Sequence, residues 1–166
     1  MDKIVFENPY FKVKVRNHIL SLTNLKGGVV VLPITEDHKV LMVKVYRPAI
    51  DKTVLELPRG FKEQGETSEE SAKRELLEET NISSTELISL GSIYPDSGLV
   101  NSEVDLFIAK DIKMDHIILQ EIEGLKEYEV IDYSTVLNLA LNGKIKDSFT
   151  LCALFRSQKF IKDLSL

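Results

Sequence analysis

Apolar residues in the first half of the chain fall at the spacing of β structure. Residues 10–15 (YFKVKV) alternate in their second half, as a half-buried strand does. Residues 28–34 (GVVVLPI) form a continuous β-branched run instead, which reads as a strand covered on both faces. A polar turn at 36–39 separates this run from residues 40–46 (VLMVKVY), and the two are expected to form a hairpin. Residues 54–57 make a short strand stopped by Pro58, which cannot donate to a ladder. Further strands are expected at 86–94, 104–109, 116–122 and 128–131.

Helical spacing appears in three places. Residues 68–80 carry Ala72, Leu76 and Thr80 on one narrow stripe at about 100° per residue. Thr67 and Glu70 before and within this segment spell a capping box, and Asn81 stands where a left-handed helix end is expected. Residues 134–141 end at Asn142-Gly143. Residues 149–164 follow Asp147-Ser148 as cap candidates and carry Leu151, Leu154, Phe155, Phe160 and Ile161. Strands, helix, strands and helices in this order predict a mixed α/β domain with helices packed on a mixed sheet.

Composition narrows the function. The chain has 166 residues, enough for one domain spanning 1–166, and a net charge of −5 from 21 basic and 26 acidic side chains. An acidic chain argues against a general nucleic-acid binder, which needs a basic face to displace phosphate counterions. A phosphate-bearing substrate would need a cation as a bridge. The single cysteine, Cys152, excludes an internal disulfide and suits a reducing compartment. The acidic start and the lack of a long apolar run predict a soluble cytoplasmic protein that does not enter membranes. Three scattered histidines offer no zinc spacing, so any metal is expected to be held by oxygen.

The candidate chemistry lies in the helix at 68–80. Glu75, Glu78 and Glu79 share an arc of about 100°. Glu78 and Glu79 occupy the last turn, where the helix dipole disfavours anions, and Glu75 opposes both. A solvated acidic face with Lys73 and Arg74 as partners is one reading of such a cluster. A divalent cation is the other, since carboxylates and a backbone carbonyl suit hard Mg2+ or Mn2+.

The spacing decides between them. Gly60, five residues, Glu66, seven residues, then Arg74-Glu75-Leu76-Leu77-Glu78-Glu79-Thr80-Asn81-Ile82 resembles the Nudix box, departing from it only at Asn81, where the box has Gly. The resemblance implies an α/β/α sandwich and a metal-dependent hydrolase of nucleoside diphosphates linked to another moiety. It implies Glu75 and Glu79 as main metal ligands, with Glu78 assisting or acting as base and the carbonyl of Arg59 as a further ligand. Arg74 would pair with Glu66 and hold the box rigid, or form a plain helical pair with Glu78.

The flanks are similar to the ADP-ribose pyrophosphatase branch. Tyr46-Arg47-Pro48 and Glu56-Leu57-Pro58-Arg59-Gly60 stand upstream, and Tyr94 to Glu103 resemble its Pro-containing loop. The likeness implies Arg47 as a substrate contact, or a surface ion pair, and Glu56 as an extra ligand, or an edge-strand carboxylate. Pro95 and Gly98 would shape a loop over the substrate, with Glu103 as a further polar contact. A late loop at 120–129 would supply the base, with Glu123 and Glu127 as candidates. Phe6, Tyr10 and Phe11 are either base-stacking aromatics or hairpin core. The amino-terminal β segment, residues 1–24, is expected to form a homodimer. The expected substrate is ADP-ribose or a related nucleoside diphosphate sugar. Dinucleoside polyphosphates or oxidised nucleoside triphosphates are the alternative, and a non-catalytic nucleotide sensor is a third reading that intact box glutamates oppose.

Overall fold

In a computed structural model, residues 2–110, 112–114, 117 and 124–161 are described. Strands β1 (Lys3–Glu7), β2 (Phe11–Arg16) and β3 (Ile19–Asn24) form an antiparallel meander. Asn17 and His18, both at positive φ, make the tight turn between β2 and β3. Strands β4 (Gly28–Pro33), β7 (Arg59–Phe61), β8 (Leu87–Ile93) and β9 (Val104–Ala109) build a mixed sheet in the order β7-β4-β9-β8, with β4 and β9 parallel. Strands β5 (Lys39–Arg47), β6 (Lys52–Glu56) and β10 (Leu125–Asp132) form an antiparallel sheet centred on β5. A 3-10 turn (Pro48–Ile50) links β5 to β6, and helices α1 (Ser68–Thr80), α2 (Tyr133–Leu141) and α3 (Ser148–Ser157) complete the described elements.

The mixed sheet is covered on both faces. Val30 and Leu32 of β4, with Leu106 and Ile108 of β9, pack against Val136 of α2 and Ala153 and Leu154 of α3. Val29 and Val31, with Phe107 and Ala109, pack against Ala72 and Leu76 of α1. The two-residue strand period sends alternate side chains to opposite helices, which is why the 28–34 run is apolar throughout. This is the expected α/β/α arrangement. Among the described residues no helix is long and apolar enough to cross a membrane.

Several expectations are corrected. The 28–34 and 40–46 runs do not form a hairpin: β4 and β5 belong to different sheets, joined by a single bridge between Ile34 and Val40. Each is central in its own sheet, β4 between β7 and β9, β5 between β6 and β10. Helix α3 stops at Ser157, where the N–H groups of Phe160 and Ile161 both turn back to the Ser157 carbonyl. Phe155, within α3, projects into solvent rather than into the core. The strand expected at 116–122 lies outside the described residues, apart from Ile117, which belongs to no strand.

Candidate active site

Helix α1 begins as expected. The Thr67 Oγ1 accepts from the Glu70 N–H at 3.2 Å, and the Glu70 carboxylate accepts from the Thr67 N–H at 2.8 Å. Its end is set by Asn81 at φ 58°, whose N–H reaches the Leu77 carbonyl, so Asn serves where the box has Gly. Ala72, Leu76 and Thr80 anchor the helix in the core, which leaves Glu75, Glu78 and Glu79 beside β7 at a cleft of about 660 Å³.

Arg74 ties the box together. Its guanidinium donates to both oxygens of Glu66 (2.9 and 3.0 Å), to Glu75 (2.7 Å), to Glu78 (3.0 Å) and to the Phe61 carbonyl (2.8 Å). Both readings of Arg74 are thus realised at once. Arg74, and then the Ser71 hydroxyl, hold the Glu66 carboxyl down to about 2. Gly60 has a steric cause. A Cβ there would lie 2.0 Å from the Glu75 carboxylate, so only glycine leaves room for that carboxylate against β7.

Glu79 is 9% exposed and accepts from the Arg59 N–H at 3.2 Å. Burial, and then the neighbouring Glu75, push its carboxyl up to about 8. Burial also raises Glu75, against the opposing pull of Arg74. Among the described residues no three acidic, thiol or imidazole side chains converge as a ready metal cage, and arginines engage Glu75, Glu78 and Glu56. The donor chemistry nevertheless fits a hard cation. Burial makes two adjacent carboxylates resist ionisation, every donor is oxygen, and the absent Cβ of Gly60 leaves room for Glu75 against the loop.

The opposite wall is basic. Glu56 is 1% exposed and lies between two guanidiniums, those of Arg47 and Arg59. Arg47 also lines the cleft, so it is both ion pair and available cation. Glu56 itself is not among the cleft-lining residues. Tyr10, Phe61 and Phe149 supply the aromatic surface, with Phe61 contacting the rings of Tyr10 and Phe11 at 5.9 and 5.8 Å. Phe6 stays exposed on β1.

Other candidates stand elsewhere. Glu127 belongs to β10, not to a loop, and pairs with Lys44 at 2.9 Å. Leu125 pairs with Val45, and both line the cleft, but the bulge between Leu125 and Glu127 shifts the register by one residue and sets Glu127 opposite Lys44, away from the site. Glu123 lies outside the described residues. The Pro95–Gly98 turn, expected over the substrate, is not among the residues that line the carboxylate cleft. Its following residues dock on β3, with the Leu22 N–H donating to Leu99 and the Asn101 N–H donating to Leu22. Gly98 lines a separate cleft of about 560 Å³ with Lys14 and Arg16. Glu103 accepts from the hydroxyls of Ser92 and Tyr94. Phe61 and Phe149 were not anticipated as cleft residues. The aromatic next to Gly60 was the one local signal, and Phe149 is placed only by the packing of α3.

The geometry agrees with a family-wide pattern, since residues 24–150 match the NUDIX domain. The chain belongs to the Nudix family. Its curated relatives include the ADP-ribose pyrophosphatase of Bacillus subtilis (strain 168), 32% identical over 120 residues, which cover 72% of this chain and 61% of that protein. The methanol dehydrogenase activator of Bacillus methanolicus is 33% identical over 106 residues, 64% of this chain and 55% of that one. The ADP-sugar pyrophosphatase of Mus musculus is 34% identical over 108 residues, 60% of this chain and 49% of that one. The matches therefore span about half to three-fifths of these relatives' lengths. A crystal structure of an ADP compounds hydrolase shares the Nudix fold with a TM-score of 0.78 at 19% identity, covering 98% of this chain and 92% of that one. These relatives bear out the resemblance drawn from the box and its flanks.

Proposed function

We propose that this Nudix chain is a divalent-metal-dependent pyrophosphohydrolase acting on ADP-ribose or a related nucleoside diphosphate sugar. The observation that carries this reading is the pairing, across one cleft, of a carboxylate couple, half-buried Glu75 and buried Glu79, with an anchored cation, Arg47. Two relatives named as ADP-ribose and ADP-sugar pyrophosphatases support the substrate class.

Glu75, Glu79 and the Arg59 carbonyl would hold Mg2+ or Mn2+, with Glu75 leaving Arg74 to do so. The bound ion would neutralise the pyrophosphate and lower the pKa of the attacking water. Arg47 binds the non-scissile charge of the substrate through its forked donors. Glu78 lines the cleft and takes the water's proton as the new P–O bond forms and the bridging P–O bond breaks. The products are AMP and ribose 5-phosphate. Because Glu79 ionises only near pH 8, turnover at limiting metal rises towards alkaline pH.

Side-by-side kcat/KM values for ADP-ribose, other nucleoside diphosphate sugars, diadenosine polyphosphates and nucleoside triphosphates, with Mg2+ or EDTA, test the reading. ADP-ribose is expected to lead. Turnover no faster than that of dinucleoside polyphosphates or triphosphates overturns the substrate assignment and leaves the family intact. Arg47→Ala is expected to raise KM more than it lowers kcat, the mark of uniform binding.

A second copy of this chain is the proposed partner of the amino-terminal sheet. Ile4, Val5, Phe6, Ile19 and Leu20 are exposed on β1 and β3, and β1 offers an unpaired edge. Light scattering is expected to give a dimer mass, and a monomer mass at working concentration removes the proposal.

A further inference from the structure

Arg59 is held from three sides. Its N–H reaches Glu79, its Nε and Nη2 donate to Glu56 at 3.3 and 3.1 Å, and its Nη1 faces Asp147 Oδ1 at 3.4 Å. The guanidinium carbon sits 4.5 Å over the Phe149 ring, so the group is flat against α3. Glu56 is shared: each of its oxygens accepts from one nitrogen of Arg47 and one of Arg59. A single buried carboxylate between two guanidiniums leaves one positive charge unmatched, and Asp147 is the acid that faces it. Asp147 comes from the start of α3, remote in sequence from the box.

We infer that Asp147 is a positioning residue of the cleft, acting through Arg59 and Glu56 to set the Arg47 guanidinium that faces the substrate's phosphates. The inference rests on the reading of Arg47 as the phosphate contact. With Asp147 charged, Arg59 divides its donors between two acids, and Glu56 remains free to hold Arg47. Without that charge, Arg59 draws on Glu56 alone, and Arg47 loses its anchor.

Asp147 also caps α3, since its Oδ2 accepts from the N–H and hydroxyl of Thr150 at 2.9 and 2.8 Å. Asp147→Asn separates the two roles. Asn caps as well as Asp. With its oxygen kept on Thr150, its amide NH2 must take the place of Oδ1 and meet Arg59 donor to donor.

Two readouts decide. The side-chain Nε–Hε NMR signals of Arg47, Arg59 and Arg74 report the contacts without any turnover. In Asp147→Asn the signals of Arg59 and Arg47 are expected to move while that of Arg74 stays, with the melting temperature within about 2 °C of wild type. KM for ADP-ribose is expected to rise about five- to tenfold with kcat within about twofold, and the same change in an Arg59→Met background is expected to add nothing. An unmoved Arg47 signal overturns the inference, as does a KM effect that persists in Arg59→Met. A wild-type protein that hydrolyses none of the substrates refutes the hydrolase reading instead, and the NMR signals still decide the role of Asp147.

Discussion

Glu79→Gln is expected to lower kcat about a thousandfold or more at saturating Mg2+ while making the metal-free protein more stable above neutral pH. The two effects have one cause. The folded protein raises the Glu79 carboxyl to about 8 by burying it beside Glu75, whereas the unfolded chain leaves it near its ordinary value of 4.5. A carboxyl raised by folding contributes stability that is fully present below about pH 4.5 and is lost as pH rises towards 8. Gln keeps the neutral form at every pH, so it abolishes that loss. The melting temperature of the variant is expected to exceed that of wild type by about 4 °C or more at pH 8.5, and the two curves to converge near pH 5. Mg2+ reverses the order, because only wild type gains the binding free energy in full. Calorimetric melts across pH with EDTA or Mg2+, beside initial rates, provide the check. Near-wild-type rates in both Glu79→Gln and Glu75→Gln would remove the box from the chemistry.

How much of this was legible in the sequence follows from how local each determinant is. Helix α1 lies where its cap, stripe and Asn81 end place it, because these signals act within a few residues. The box likewise spells out the Arg74–Glu66 clamp, since loop and helix are close in sequence. Pairing across the fold was not legible. The runs at 28–34 and 40–46 are adjacent, which suggests a hairpin, yet each is a central strand of a separate sheet. β1, exposed along its whole length, and β7, three residues inside the box entry, carry no pattern long enough to read. The contact of Asp147 with Arg59 depends on α3 packing against the mixed sheet, so the sequence shows Asp147 only as a cap. The loop after Tyr94 was expected over the substrate because it resembles the Pro-containing loop of the ADP-ribose branch. Its position depends instead on backbone bonds to Leu22, a partner that no local pattern names.

Gly60→Ala is the change expected to divide activity from stability most sharply. Gly60 does not occupy the left-handed region, so alanine is free to adopt its backbone, and a strand residue with a side chain is no burden. The obstacle is the Glu75 side chain, whose carboxylate carbon and one oxygen would each lie 2.0 Å from the new methyl. These are the far atoms of a flexible chain, so Glu75 swings aside rather than forcing β7 from α1. Folding therefore changes little, while a carboxylate displaced by about 1 Å or more costs about a hundredfold in kcat/KM. Gly143→Ala is the opposite case. Its φ of 67° strains any side chain, nothing lies within 4 Å of the added methyl, and the site is remote. That variant is expected to lose about 1 kcal/mol of stability and keep its rate. Melting temperatures and kcat/KM measured on both proteins give the comparison. A Gly60→Ala enzyme with wild-type kcat/KM would mean that the close approach of Glu75 to the loop has no part in catalysis.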